Sequence, residues 1–463
     1  MRFLIECTYV YEHPQDNSGI QRVVRNVIKQ LDSLPGDVEC VPVMMHGGQL
    51  YRVLSLAPLK PQKQTPIRQA AIIRLDHARN RYWWWHSRLE RVRPLRTSLN
   101  ARRALFLLCK LLSLAITVPL RGLLWLNRNS RPAPERAVPL QVEDGDQLLL
   151  LDSSWHADFF ELAERLKHRG VGIVSVIYDL IPLTHPQFCD AGLVKVFDRW
   201  FDWVARTADG FMAISKTTSE QVERELQWRL GVQEASRRWH GYFHLGCELD
   251  LTRADEPLYP ALRRVFGKRE PVYLMVSTIE PRKNHAYLLD AFDRLWAQGS
   301  TARLCIIGKV GWKCDALIER IHKHPLHGKR LFMFNRINDR SLEYAYSHAR
   351  ALVFPSHAEG FGLPLVEAMQ RGLPVMASDI PVFREVGGDF MAYFDLADPH
   401  TLVERIQAFE SSGRFPAVRP VVEWQWVGWS GAARQLVAGT LSGLQRATLA
   451  PAPAKAPLYA DCP

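Results

Sequence analysis

The sequence predicts an α/β protein made of two doubly wound parallel-sheet domains that face each other across a cleft. Three observations carry this expectation. Short apolar runs of strand type alternate with helical runs from residue 147 to residue 230, and a second rhythm of the same kind fills 272–378. Such alternation builds parallel sheets covered by helices on both faces. A charged, proline-containing stretch at 255–271 separates the two rhythms, and 463 residues exceed what one hydrophobic core organises.

Taken in order, Arg2–Val10 reads as the first strand. Gly19–Leu31 reads as a helix, with Ile20, Val23, Val24, Val27 and Leu31 recurring on one face. Val38–Met45 is a second strand, after which the pattern breaks. From Lys60 to Arg136 there are 17 Lys and Arg against three acids, a net of +14, while the whole chain carries +11. The remainder is therefore slightly acidic, and the basic stretch reads as an insertion at about 52–140. Regular alternation resumes with Gln147–Leu151 (strand), Asp158–Arg169 (helix) and Val171–Ile177 (strand), then Phe197–Thr207 (helix), Gly210–Ile214 (strand) and Thr218–Leu230 (helix). Beyond the linker at 255–271, Val272–Thr278, Leu304–Gly308, Leu331–Asn335, Ala351–Pro355 and Pro374–Ser378 are strands. The expected division is residues 1–258, residues 259–420, a helix at 421–447 crossing back to the first domain, and a Pro- and Ala-rich disordered tail at 448–463.

Composition narrows the class. Hydrophobic residues make up 47% and charged residues 23%, as in ordinary globular proteins. Lys and Arg outnumber Asp and Glu by 59 to 48, which suits an anionic partner. The eight cysteines are scattered without a C-x-x-C pair, which speaks against a disulfide framework or a zinc site. The opening MRFLIECTYVY lacks a cleavable signal pattern, so the expectation is a cytoplasmic chain, and with no clear metal-ligand cluster in the sequence no cofactor is expected.

Four motifs lie where ligands of such sheets bind, beyond the carboxyl ends of strands. In Glu359–Met369, EGFGLPLVEAM, Gly360 and Gly362 let the backbone approach a ligand, and Pro364 opens a helix whose amino end suits a diphosphate. Glu367 falls about one turn inside that helix, so Glu359 and Glu367 flank the anion site. Glu280-Pro281-Arg282-Lys283-Asn284 follows the strand Val272–Thr278, and its two bases can neutralise a departing nucleoside diphosphate. Asn17-Ser18-Gly19-Ile20-Gln21-Arg22 offers a glycine at a helix start. In Tyr178-Asp179-Leu180-Ile181-Pro182-Leu183-Thr184-His185-Pro186, Asp179 can hold a sugar or acceptor hydroxyl, and His185 is the histidine candidate beside it.

Together SGIQRVVRN, YDLIPLTHP, STIEPRKNH, IIGKVGW, ALVFPSHAEGFGLPLVEAM and ASDIPVFREVGG resemble the retaining GT-B glycosyltransferases of family four, in particular the bacterial mannosyltransferase-like branch of lipopolysaccharide, capsule and exopolysaccharide assembly. The resemblance spans residues 1–45 and about 147–440. It implies a GT-B fold of two Rossmann-like domains, the first on the acceptor side and the second binding the nucleotide-sugar. It implies transfer of a hexose or deoxyhexose with retention, without metal, from a donor for which GDP-mannose is favoured, to a glycan or lipid-linked acceptor. By the same resemblance Glu359 contacts the donor sugar and Glu367 the ribose. Arg282, Lys283 and the amides around Gly360, Phe361 and Gly362 hold the diphosphate, and Gly19 lies in the amino-terminal glycine turn. Tyr178 stands where many members have a histidine. Ser277 and Thr278 stand where an arginine usually precedes the Arg-Lys pair.

The insertion adds a membrane expectation. Arginines from Arg79 to Arg103 interleave with Tyr82 and Trp83–Trp85, and Ala104–Leu126 shows Lys110, Ser113, Thr117 and Arg121 at helical spacing beside a wide apolar face. The apolar run is shorter than the roughly 20 residues a bilayer needs. It suits a peripheral helix on the anionic inner face of the cytoplasmic membrane. No nucleic-acid-binding motif accompanies these residues. Two other readings remain open at this point: a non-catalytic membrane-associated scaffold subunit of a polysaccharide assembly complex, and a GT-B-fold nucleotide-sugar epimerase.

Overall fold

A computed structural model describes residues 1–14, 19–34, 38–57, 71–72, 74–75, 77–79, 81–82, 99–129, 135–156, 159–249, 257–335 and 337–449. In chain order its strands are β1 (Arg2–Glu6), β2 (Glu39–His46), β3 (Gln49–Val53), β4 (Ala137–Pro139), β5 (Gln147–Leu150), β6 (Gly172–Ile177), β7 (Gly210–Ala213), β8 (Trp239–Tyr242), β9 (Val272–Val276), β10 (Arg303–Ile307), β11 (Leu331–Phe334), β12 (Ala351–Phe354), β13 (Val375–Ser378) and β14 (Ala392–Phe394). The chain forms two compact units, residues 1–43 with 142–463, and residues 44–141.

The larger unit holds two parallel sheets. The first runs β2-β1-β5-β6-β7-β8, with Leu4 opposite Val41 on one side and Leu148 on the other. The second runs β11-β10-β9-β12-β13-β14, with Leu274 between Cys305 and Leu352. Central strands such as β5 (QLLL) and β12 (ALVF) are buried at every position, as expected where helices cover both faces of a sheet. Strand order reverses beside β1 and β5 in the first sheet and beside β9 and β12 in the second. Crevices for ligands open at the carboxyl ends of strands where the order reverses. The helix Trp429–Leu449 returns to pack on β8, on β7 and on the helix Gly19–Gln30.

Four sequence expectations change, the first being that the helix expected at 421–447 begins only at Trp429 and runs to Leu449. The first strand stops at Glu6, and Thr8–Glu12 is a helix. The cause is local: the Glu6 carboxylate accepts from the Thr8 amide at 2.7 Å, and Asp152 accepts from the Val10 amide at 2.7 Å, which turns the chain. The linker at 255–271 contains the helix Pro260–Phe266, because Leu262, Val265 and Phe266 repeat at helical spacing and are buried. The helix expected from Phe197 begins at Ala191, where Asp190 caps it by accepting from the Gly192 and Leu193 amides. Asn17, Ser18, Asp158, Trp83–Trp85, Arg88, Arg91, Arg93, Arg96, residues 255–256 and the tail from 450 lie outside the described residues.

In the smaller unit β3 and β4 pair antiparallel, with Val53 opposite Ala137. A 31-residue helix, Leu99–Asn129, carries Pro119 inside it. Its inward side includes Cys109 and Leu120, both buried, while Leu107, Leu108, Leu111, Leu112, Leu114 and Val118 are exposed, Leu111 at 67%. Large apolar side chains gathered on a solvent face mark a surface that meets something apolar. Among the described residues no helix is long and apolar enough to cross a membrane.

Candidate active site

The site is assembled from the loops after β9 and β12, facing the loops after β1, β6 and β7. After β12 the chain runs through Glu359-Gly360-Phe361-Gly362 into the helix Leu363–Gln370. Gly362 caps that helix at φ 103°, a conformation that favours glycine. Gly360 is held for a different reason. A Cβ there would lie 1.9 Å from the Tyr178 carbonyl oxygen, so no side chain fits. The Gly360 carbonyl accepts from the Ser215 hydroxyl at 2.8 Å and from the Thr218 hydroxyl at 3.3 Å. Phe361 is buried, with its ring 6.2 Å from His244 and 5.9 Å from Trp426. Its side chain therefore packs, and what it can offer a ligand is its backbone.

Glu280-Pro281-Arg282-Lys283 forms a tight turn after β9, and Asn284 takes a left-handed conformation at φ 55° to start the helix His285–Ala297. The turn aims both bases at Glu359. Arg282 lies 2.7 Å from one Glu359 oxygen, and the Lys283 ammonium donates to the other. Arg282 also meets Glu280 at 2.7 Å and donates to the Ala358 carbonyl at 2.7 Å. Burial alone raises a carboxyl, but the Arg282 charge and then Lys283 outweigh it and bring Glu359 down to about 2. Lys283 is lowered by burial and by the neighbouring Arg282 charge. Burial raises both Glu280 and Asp179, with Arg282 opposing in each case. Asp179 therefore belongs to this cluster, and its Oδ1 accepts from the Ile181 amide at 2.9 Å.

The second carboxylate has other neighbours. Glu367 is buried, accepts from the Tyr346 hydroxyl at 2.7 Å and pairs with Arg22 at 2.7 Å. Gly19 starts the helix that carries Arg22, and a Cβ on Gly19 would lie 3.8 Å from the Leu363 side chain. The amino ends of two helices thus meet. Both ends carry the positive pole of a helix dipole, as anion sites do.

His185 stands apart from the charged cluster. Its ring stacks on Phe188 with centroids 6.2 Å apart, Phe188 stacks on His357 at 5.1 Å, and the Thr184 hydroxyl lies 2.9 Å from His185 Nδ1. Tyr178 is buried and donates to the Leu151 carbonyl at 2.7 Å, which makes it a structural strut at the position where the family resemblance puts a histidine. Sequence reading missed Arg22 and Tyr346 as neighbours of Glu367. A signal for Arg22 was present, since a cation in the first turn of a helix opposes the dipole and calls for an anion. Tyr346 had none, because only packing brings the helix Asp339–His348 beside Glu367. Among the described residues no group of three or more His, Cys, Asp or Glu is placed to hold a metal ion.

Known proteins resemble this chain in sequence and in fold. Residues 261–418 match the family described as glycosyl transferases group 1. The chain is 32% identical over 305 residues to the serotype-specific mannosyltransferase WbdA of Escherichia coli, an alignment covering 65% of this chain and 37% of that protein. It is 27% identical over 240 residues to the O-antigen chain mannosyltransferase B of Escherichia coli, covering 51% of this chain and 60% of that one. The alignment thus takes in little more than a third of WbdA's length. Among solved structures, the sucrose-phosphate synthase of Thermosynechococcus elongatus superposes with a TM-score of 0.51 over 97% of this chain and 98% of that one, at 16% identity, a likeness of fold.

Proposed function

We propose, from the match of residues 261–418 to the glycosyl transferases group 1 family and from the fold, that the chain is a retaining, metal-independent glycosyltransferase that moves a hexose or deoxyhexose from a nucleotide-sugar to a growing, lipid-linked glycan of lipopolysaccharide, capsule or exopolysaccharide. Mannose is the favoured sugar, on the relatives' names, and GDP-mannose the donor expected for it. The observation that carries the reading is the Glu359–Arg282–Lys283 cluster beside the amino end of the Leu363–Gln370 helix.

The mechanism follows from what those residues can do. The diphosphate lies at that helix end and draws Arg282 and Lys283 from Glu359 onto its own oxygens. Charge builds on those oxygens as the sugar leaves, so the two bases stabilise the transition state more than the bound donor. Glu359, ionised at neutral pH, then turns to a sugar hydroxyl. Asp179, raised by burial, orients the sugar or the incoming hydroxyl. The acceptor attacks from the face the nucleotide leaves, and a phosphate oxygen takes its proton. His185 lies outside this cluster and is assigned to the acceptor.

Calorimetry with GDP, UDP, dTDP and ADP and their mannose or glucose conjugates tests the reading. One nucleotide class is expected to bind, with affinity lost in Lys283→Ala and in Glu367→Ala. A folded protein that binds none of them overturns it. The exposed leucine face of Leu99–Asn129, in a segment of net charge +14, is assigned to an anionic leaflet at the inner face of the cytoplasmic membrane. In flotation, vesicles containing phosphatidylglycerol are expected to carry the protein and pure phosphatidylcholine vesicles are not. Leu111→Asp with Leu114→Asp abolishes the association without changing nucleotide affinity. Equal flotation by the variant rejects the assignment.

A further inference from the structure

Arg22 sits in the first turn of the helix Gly19–Gln30, where the dipole disfavours a cation, and its side chain is only 15% exposed. Its partner Glu367, 2% exposed, is on the facing helix, one turn in from the amino end assigned above to the diphosphate. The two carboxylate oxygens of Glu367 are not equivalent. Oε2 accepts from Tyr346, whereas Oε1 lies 2.7 Å from Arg22 and accepts no aligned hydrogen bond among the described residues. A buried carboxylate oxygen with acceptor capacity left therefore stands beside a guanidinium, whose five N–H groups form a fork that fits phosphate oxygens.

A nucleoside diphosphate supplies the complement of both groups. Its ribose hydroxyls are donors suited to Glu367 Oε1, and its phosphate oxygens are acceptors suited to Arg22. We propose that Arg22 is a donor-exchanged positioning residue: it holds Glu367 while the site is empty and passes to the donor's diphosphate when the ribose takes Glu367. Because Arg22 belongs to the first sheet's half and Glu367 to the second, the exchange couples donor binding to the register of the two helix ends across the site. The inference rests on the glycosyltransferase reading and adds to it a residue from the acceptor-side half that touches the donor.

The test compares GDP with guanosine by titration calorimetry on wild type, Arg22→Ala and Arg22→Lys, with UDP, dTDP and ADP and their nucleosides run alongside. Arg22→Ala is expected to weaken the diphosphate about tenfold to a hundredfold, the worth of a hydrogen bond to a charged group. Its guanosine affinity stays unchanged or tightens, because Glu367 has lost its competitor. Arg22→Lys, which keeps the charge without the fork, recovers part of the diphosphate affinity. Equal loss for diphosphate and nucleoside makes Arg22 a structural prop for Glu367 and overturns the proposal, as does no loss for either. If Arg22→Ala does not fold, Arg22→Lys against Arg22→Gln decides on the same difference. Diphosphate binding that is lost in Lys283→Ala but untouched in Arg22→Ala sinks this inference alone. Binding of no nucleotide by the wild type sinks both it and the function proposed above.

Discussion

Glu6 and Asp152 stand at the ends of β1 and β5, where the first sheet reverses its strand order. Glu6 accepts from the amides of Thr8 and Asp152, and Asp152 from those of Val10 and Ser153. Burial first, then the neighbouring Asp152 charge, pushes Glu6 up from 4.5 to about 8, and burial raises Asp152 as well. Cys7 and Tyr178 face the same pair, and Arg25 opposes the rise at Asp152. The sign follows from the direction. A carboxyl whose value is higher in the folded state favours folding fully below its unfolded value. That contribution is lost as pH rises through the folded value. Wild type is therefore expected to lose stability between about pH 5 and pH 8, as followed by thermal denaturation. Glu6→Gln, less stable throughout because an amide N–H₂ replaces one acceptor, shows a flatter profile over that range. A wild-type profile no steeper than the variant's removes the raised Glu6 carboxyl from the account. Nothing in the sequence marks these two residues, 146 positions apart, as neighbours, since only the pairing of β1 with β5 joins them.

At the scale of the element, the Glu359–Gly362 turn and the Leu363–Gln370 helix are readable along the chain. Glycines, a proline in the first turn and a preceding apolar strand each call for the same strand–turn–helix unit. What the local pattern does not hold is the reason Gly360 must be glycine. The Tyr178 carbonyl that excludes a Cβ comes from the other half of the molecule, as do the hydroxyls of Ser215 and Thr218 that grip the Gly360 carbonyl. Gly360→Ala is expected to cost about 1–3 kcal/mol in urea denaturation, since the obstacle is backbone and must shift. It should also weaken nucleotide binding. Stability and affinity equal to wild type would mean that the two halves sit further apart at this turn.

Across the whole molecule the halves are joined by polar contacts that no single motif announces. Glu385, on the helix Pro381–Gly387, accepts from the amides of Lys216 and Thr217 at 2.7 and 2.8 Å and from the Thr217 hydroxyl at 2.7 Å. It thereby caps the helix Lys216–Leu230 of the other half, and the His244 imidazole lies 2.9 Å from the same carboxylate. Elsewhere between the halves the Trp312 indole donates to the Phe188 carbonyl at 2.8 Å and Lys313 to the Cys189 carbonyl at 2.7 Å. Glu385→Ala removes a helix cap and should cost about 1–2 kcal/mol. Faster hydrogen exchange at the Lys216 and Thr217 amides, with the core of β9 and β12 unchanged, is the expected signature. Unchanged exchange at those two amides would show that Glu385 does not cap the helix in solution.

The sequence by itself determined the two strand–helix rhythms, the places of the glycine turns, and the positions of Glu359, Arg282 and Lys283 just beyond the carboxyl ends of strands. Those features depend on local periodicity and on the rule that parallel sheets bind at strand ends, and both can be read along a chain. The tertiary structure alone decided which charge faces which. Glu359 is held by Arg282 and Lys283, whereas Glu367, eight positions on, is held by Arg22 and Tyr346. Residues 22 and 367 meet only because two sheets dock with helix ends opposed, and electrostatic partnership depends on distance in space, which periodicity does not encode.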